Sequence, residues 1–151
     1  MHKSLTAFIA MLSLSAFSST FASEVVICDN DKQFRPKGSR EVHLKLTFKR
    51  NILQRLEYLG STVSGEEGGA YSCSLDVQRC TPKTLWKTNG TSTKIWLEEN
   101  LTQEDPNIEI LVSGKSTDVK MYMGQTPYCG FGAEFPTRIT KLPNGSCRVA
   151  F

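Results

Sequence analysis

The sequence predicts an all-β fold, a single-domain antiparallel meander that forms a small barrel or a two-sheet sandwich stapled by disulfides. Three observations predict it: apolar and polar residues alternate over short segments, turn dipeptides recur between these segments, and five cysteines are spread along the chain. A period of two turns one face of each strand toward a core and the other toward water. Packing two sheets together, or closing one sheet, buries those faces and limits exposed strand edges.

Residues 1–22 are predicted to be a cleaved secretory signal peptide. Met1–Lys3 gives a positive start, residues 5–17 form an apolar run too short to span a bilayer, and small residues near Ala22 suit a signal peptidase. The alternative, an N-terminal core helix, is disfavoured because acidic residues are absent before Glu24. We therefore expect one domain over residues 23–151, exported to the periplasm or the extracellular space, with no membrane span.

The first predicted hairpin shows the strand pattern most clearly. Apolar residues at every second position from Val42 to Phe48 alternate with polar ones, so this segment is expected to be a half-buried strand. Residues 49–51 are predicted to turn, and residues 52–59 to return as a second strand. The apolar residues of the returning segment also fit a helical stripe capped by Gly60. The short length and the lack of a helix start signal beyond Asn51 favour the strand.

The remaining strands are expected to follow one another with short turns. A loop rich in Gly and Glu occupies residues 64–69, and strands are predicted at residues 70–77, 85–87, 93–98, 107–112, 119–123, 134–142 and 147–151. Asn-Gly pairs at Asn89–Gly90 and Asn144–Gly145 indicate two hairpin turns. A turn at Ser113–Lys115 separates two further strands. The sequence thus predicts nine or ten short strands.

The five cysteines are expected to form two disulfides, because exported chains are oxidised. Cys129 and Cys147 flank the final hairpin, and Cys73 and Cys80 are close in sequence, so we predict these two pairs. Cys28 is then the unpaired thiol, expected to be buried and inert. The alternative pair Cys28–Cys73 leaves Cys80 free. Each disulfide is expected to contribute about 2–4 kcal/mol.

Composition and motifs argue against several function classes. The net charge is +3 and the basic residues are scattered, which is not typical of a nucleic-acid-binding surface. Beyond the signal, His43 is the one histidine, and no nucleophile motif accompanies it. We therefore expect no metal, cofactor or catalytic triad. These exclusions favour a binding protein over an enzyme. Two alternatives remain: a small hydrolase of glycan or cell-wall substrates that uses acids such as Glu66, Glu67 and Glu134, and a structural envelope protein.

The segment 124–136 combines glycines, prolines and aromatic residues around Cys129. Exposed Tyr128 and Phe131 could anchor a partner, because aromatic side chains dominate interface hot spots. Glycines allow close approach of another surface, and a disulfide would lower the ordering cost of binding. The alternative is a stapled loop whose aromatic residues close the end of the core.

The triplet Ser113-Gly114-Lys115 resembles the start of the inhibitory loop of the periplasmic lysozyme inhibitors of Gram-negative bacteria. That family consists of small exported β-barrels with a disulfide, and its loop motif continues to a Tyr where this chain has Thr117. The resemblance implies that Lys115 pairs with an acid in an enzyme cleft and that Ser113 hydrogen-bonds there. We therefore expect an exported, non-enzymatic binding protein, an inhibitor or immunity-type protein whose partner is another protein. No oligomeric state is predicted.

Overall fold

The computed structural model describes residues 23–29, 40–64, 69–98, 101–124, 127–130 and 133–151. The predicted signal peptide, Glu66, Glu67 and Phe131 lie outside these residues. Within them, ten strands form two antiparallel sheets, which confirms the all-β prediction and selects the two-sheet arrangement over a closed barrel. No helix in the described part of the chain is long and apolar enough to cross a membrane.

The strands follow the chain from hairpin to hairpin. The four-stranded sheet has the order β1-β2-β3-β4 and consists of β1 (Glu24–Asp29), β2 (Arg40–Lys49), β3 (Ile52–Ser64) and β4 (Gly69–Gln78). The six-stranded sheet has the order β10-β9-β8-β7-β6-β5 and consists of β5 (Thr84–Asn89), β6 (Ser92–Leu97), β7 (Ile108–Ser113), β8 (Ser116–Met121), β9 (Arg138–Lys141) and β10 (Cys147–Ala150).

The β2–β3 hairpin confirms the strand prediction and explains the helical look of its second half. Arg50 and Asn51 form a two-residue turn with positive φ angles of 53° and 61°. The pairing between β2 and β3 then shifts by one residue at Gln54, a β-bulge. Because the bulge changes the phase of β3, Leu53 and Leu56 are both buried although three residues separate them. Their spacing comes from the bulge and not from a helix.

Two further turns are centred on glycines. Gly90 and Gly114 adopt φ angles of 57° and 58°, which glycine tolerates without steric cost. The Asn-Gly prediction gave the hairpin correctly but misplaced its centre by one residue, since Asn89 still pairs with Ser92 at the end of the strands. These turns hold β5 to β6 and β7 to β8 in tight register.

The core lies between the two sheets and is built from the inward positions of both. The predicted alternation in β2 is confirmed, because its inward residues from Val42 to Phe48 are buried. Tyr58 and Phe135 stack with ring centroids 4.9 Å apart near one end of this core. The buried residues of this core cluster are Cys28, Val42, Leu44, Leu46, Phe48, Leu53, Leu56, Tyr58, Cys73, Leu75, Val77, Ile95, Leu97, Ile108, Ile110, Val119, Met121, Met123, Phe135 and Ile139. Trp96 is also buried, outside the cluster.

Two disulfides join the sheets, in a pairing that the sequence did not predict. Cys28 of β1 bonds Cys147 of β10, with Cα atoms 5.7 Å apart, and Cys73 of β4 bonds Cys129 in the β8–β9 connection. Cys80 is a free, exposed thiol. The predicted pairs Cys73–Cys80 and Cys129–Cys147 are therefore wrong, as is the prediction of Cys28 as a buried free thiol.

Strand geometry explains the errors. The chain after Cys73 is extended as far as Gln78 at about 3.3 Å per residue, so Cys80 lies beyond the roughly 7 Å that a disulfide can bridge between Cα atoms. The alternative pair Cys28–Cys73 fails as well. β1 and β4 are opposite edges of one sheet, with β2 and β3 between them at about 4.8 Å per strand.

The β8–β9 connection covers the edge of β4. The backbone N–H of Ser74 donates to the Tyr128 carbonyl at 2.9 Å, and the N–H of Gly130 donates to the Ser72 carbonyl at 2.9 Å. This short pairing protects an edge strand that would otherwise present unpaired backbone groups. The connection extends beyond the predicted loop, so β9 begins at Arg138 instead of residue 134.

Removing the disulfide between β1 and β10 is expected to destabilise the protein strongly. The double change Cys28→Ala with Cys147→Ala removes a cross-link between residues 119 positions apart, which restricts the unfolded chain. It should lower the free energy of unfolding by about 2–5 kcal/mol. Cys80→Ala is the control and should leave it unchanged, because the thiol is exposed and unpaired. Guanidinium denaturation measures both. Equal stability of the double variant and the control would contradict the role given to this disulfide.

Gly60→Ala is expected to lower the free energy of unfolding by about 1–3 kcal/mol through overpacking. A Cβ at this position would clash with the hydroxyl of Tyr58 and would come within 2.8 Å of its ring carbon Cζ. Gly130→Ala is the matched control, since its Cβ would approach only Ser72 backbone atoms at ordinary distances. Thermal unfolding of both variants, and of Gly60→Ala in a Tyr58→Ala background, tests the cause. A loss of the same size without the Tyr58 ring would mean that the ring is not responsible.

Candidate functional site

A cleft of about 480 Å³ opens between the two sheets where three hairpin turns meet. The turns are those between β2 and β3, between β5 and β6, and between β7 and β8. The cleft is lined by Glu24, Val25, Val26, Phe48, Asn51, Gly90, Thr91, Thr93, Ile110, Val112, Gly114, Lys115, Thr117 and Lys141. Its volume lies within the range of about 300–1,000 Å³ that is common for ligand sites.

The floor of the cleft is apolar and continuous with the core. Val26 and Phe48 contribute to it from the four-stranded sheet, and Ile110 and Val112 from the six-stranded sheet. Phe48 and Ile110 are buried, whereas Val26 and Val112 are half-buried at the edge of the core. An apolar group of a ligand can therefore contact the floor without burying polar side chains there.

Polar residues replace aliphatic ones where the inner faces reach the cleft. β8 runs inward through Thr117, Val119 and Met121, and β9 through Ile139 and Lys141, so the residues nearest the cleft are a threonine and a lysine. Thr117 and Lys141 are direct partners across the β8–β9 pair. The alternation that builds the core thus places polar groups in the cleft.

The two buried threonines of the cleft differ in their hydrogen bonds. Both Thr93 and Thr117 are 5% exposed. The Thr93 hydroxyl lies 3.2 Å from that of Thr88, but the Thr117 hydroxyl makes no hydrogen bond to any described residue. A buried hydroxyl without a protein partner costs free energy unless water or a ligand satisfies it. The Thr117 hydroxyl keeps some exposure to the cleft, so water or a ligand can bind it there.

The mouth of the cleft carries a net positive charge. Lys115 is exposed in the β7–β8 turn and Lys141 is half-buried, and among the described residues neither forms an ion pair. Glu24 is the acidic residue of the lining. Two ammonium groups against one carboxylate favour an anion at this position.

The structure separates the residues that the sequence singled out. Lys115 lines the cleft, and Ser113 is exposed at the end of β7 beside it. Tyr128 is half-buried and packs against the core, so it does not share this site. Glu134 is exposed, and one carboxylate oxygen lies 3.4 Å from Arg40 Nη2. Sequence reasoning missed Thr117 as a hydroxyl of the cleft and missed Lys141 altogether.

Other polar groups of the described residues do not assemble a second reactive site. His43 Nδ1 lies 3.1 Å from Asp29 Oδ2 on the outer face of the four-stranded sheet. No group of three His, Cys, Asp or Glu side chains in the described ranges is arranged to hold a metal ion. A second, more open cleft of about 430 Å³ lies beside His43 and Glu57 on this outer face, whereas the cleft at the turns opens between the two sheets.

No protein-family model, curated protein or solved structure matches the chain. Function is therefore inferred from the geometry of the cleft and of its turns.

Thr117→Val should leave the free energy of unfolding unchanged or raise it by up to about 1 kcal/mol, because Val keeps the shape and removes an unpaired hydroxyl. Thr140→Val, on the neighbouring strand, is the matched control, and it is expected to change the free energy of unfolding in the opposite direction. Its hydroxyl donates to Asp118 Oδ1 at 2.7 Å, as does Arg138. Burial raises the pKa of Asp118, but these hydrogen bonds outweigh it and hold the pKa below its usual value.

Thr140→Val is therefore expected to lower the free energy of unfolding by about 1 kcal/mol. Urea denaturation at neutral pH, where Asp118 is ionised, measures both variants. A comparable loss of stability in Thr117→Val would show that its hydroxyl is already satisfied and would remove it as an open ligand contact.

Proposed function

We propose that the protein is an exported, non-enzymatic binding protein that inhibits or neutralises another protein through its β7–β8 turn. One observation carries the proposal: the turn presents Lys115, an exposed cation without an ion pair among the described residues, at the rim of the cleft. Such a cation suits an acidic site on a partner. The resemblance of Ser113-Gly114-Lys115 to the loop of periplasmic lysozyme inhibitors supports the same use of the turn.

The turn is short and conformationally restricted. Ser113 and Ser116 pair directly across the hairpin, and Gly114 occupies the left-handed region at a φ of 58°. A two-residue turn between paired strands has few alternative conformations, so little ordering entropy is lost when a partner binds. A short, restricted turn of this kind therefore suits recognition of a partner better than a long mobile loop does.

The two disulfides are compatible with the proposed export, because intramolecular disulfides persist in oxidising compartments. The alternative hydrolase receives no support from Glu134, which is exposed and pairs with Arg40 instead of facing another acid. Tyr128 gains no support as an anchor from its half-buried position against the core.

Lys115→Glu is expected to weaken capture of a specific partner from an envelope or secreted extract by at least about tenfold in Kd. Charge reversal should act through repulsion from the partner's acids. Lys120→Gln is the matched control on the outer face of the same hairpin, where its ammonium lies 3.9 Å from Glu109. The partner is identified by mass spectrometry, and affinities of the variants are measured by biolayer interferometry at two salt concentrations.

Ser113→Ala is expected to weaken the same complex by a smaller factor, and salt should weaken the wild-type complex. A partner that binds Lys115→Glu and Ser113→Ala as tightly as the unchanged protein would refute the turn as its binding site. Absence of any partner that distinguishes Lys115→Glu from Lys120→Gln would refute the proposed function.

A further inference from the structure

We propose that the cleft between the sheets binds a small amphiphilic anion, with its acidic head at the two lysines and its apolar body on the floor. This inference goes beyond the proposed function and does not rest on it. The two share Lys115 of the turn, but Lys141, Thr117 and the apolar floor belong to the cleft alone. The ligand class is a monoanion with a short hydrocarbon or ring body.

The floor accounts for the apolar half of the ligand. Val26, Phe48, Ile110 and Val112 contribute apolar side chains from both sheets to the lining of a cleft of about 480 Å³. Ligand sites of this size are lined mainly by apolar side chains with a few polar groups that fix orientation. An apolar body of about ten carbon atoms fits this volume with room for its head group.

The lysines and the threonine of the cleft would bind the acidic head of the ligand. Lys141 lies on the inner face of β9, directly opposite Thr117 of β8. Lys115, in the β7–β8 turn, lies at the mouth of the same cleft. Neither ammonium forms an ion pair with a described residue, and the Thr117 hydroxyl makes no hydrogen bond to one. Two cations and a hydroxyl donor in the lining of one cleft supply the chemistry that recognises a carboxylate or a sulfate.

Glu24 limits the charge of the ligand. It stands at the start of β1 in the lining, across from the six-stranded sheet that carries both lysines. With two ammonium groups and one carboxylate the lining carries a single net positive charge. This balance favours a monoanion and disfavours a dianion.

The opposite end of the core shows that the fold itself does not require a cleft. There, Tyr58 and Phe135 stack, Met123 is buried, and the β8–β9 connection covers the edge of β4. Aromatic and aliphatic side chains close that end, although the Tyr58 hydroxyl is buried there without a hydrogen-bond partner. Beside the turns, Thr117 and Lys141 occupy inward positions of β8 and β9 and leave a cleft.

The test is isothermal titration calorimetry of the full disulfide-bonded protein with octanoate, octylammonium and octanol, each below its aggregation concentration. Octanoate should bind at one site per chain, and octylammonium at least about tenfold more weakly because it meets two cations. Lys141→Gln should weaken octanoate binding about tenfold, and Lys120→Gln should leave it unchanged. Val112→Phe should abolish binding by filling the floor.

The thermal transition of Val112→Phe is checked first, and if that variant does not fold, Lys141→Gln and Thr117→Val provide the test. Equal affinity for octanoate and octylammonium, retention of octanoate affinity in Lys141→Gln, or a Kd above about 1 mM for octanoate would overturn the proposal. If the unchanged protein captures a partner through Lys115 but does not bind octanoate, this inference alone is refuted. If it binds octanoate but captures no partner through Lys115, the proposed function alone is refuted.

Discussion

Both disulfides fix an edge of the four-stranded sheet to chain that belongs to the other sheet. Cys28–Cys147 joins β1 to β10, and Cys73–Cys129 joins β4 to the β8–β9 connection. Because the two sheets otherwise contact each other through side chains, these covalent links limit how far the sheets can slide or separate. The width of the cleft depends on that limit, and so does the positioning of its turns. Four of the cysteines from which the sequence analysis predicted export thus tie together the two sheets that enclose the candidate site.

The strands were predictable because burial alternates along them, as the inward residues from Val42 to Phe48 show. The disulfide pairing was not, because it depends on which strand edges meet across the sandwich, and sequence spacing carries no such information. Nearness in sequence favoured Cys73–Cys80, yet an extended strand carries neighbouring residues apart. The helical look of Leu53 and Leu56 had a similar origin, since a bulge alters the phase that periodicity reads.

The candidate site was predictable only at its turn. The Ser113-Gly114-Lys115 motif drew attention to Lys115, which does line the cleft. Lys141 carried a signal as well, because it lies two residues after the buried Ile139 on the same face of β9. To use that signal, one must know where β9 begins and that its end lies beside Thr117 of β8. Strand phase and sheet order together create the site, and neither is visible in a local motif.

The polar end of the sandwich contributes less to stability than an apolar end would, which supports the proposed ligand. Replacing the inward Thr117 by Val would extend the core at no loss of shape and would leave the free energy of unfolding unchanged or raise it by up to about 1 kcal/mol. Lys141 can rest its methylenes on the apolar floor while its ammonium reaches the mouth, but this arrangement leaves the cation without an ion pair among the described residues. The inward Thr117 and Lys141 thus keep a polar cleft open at this end, whereas Tyr58 and Phe135 close the other. An open cleft with polar groups in its lining is what a ligand site requires.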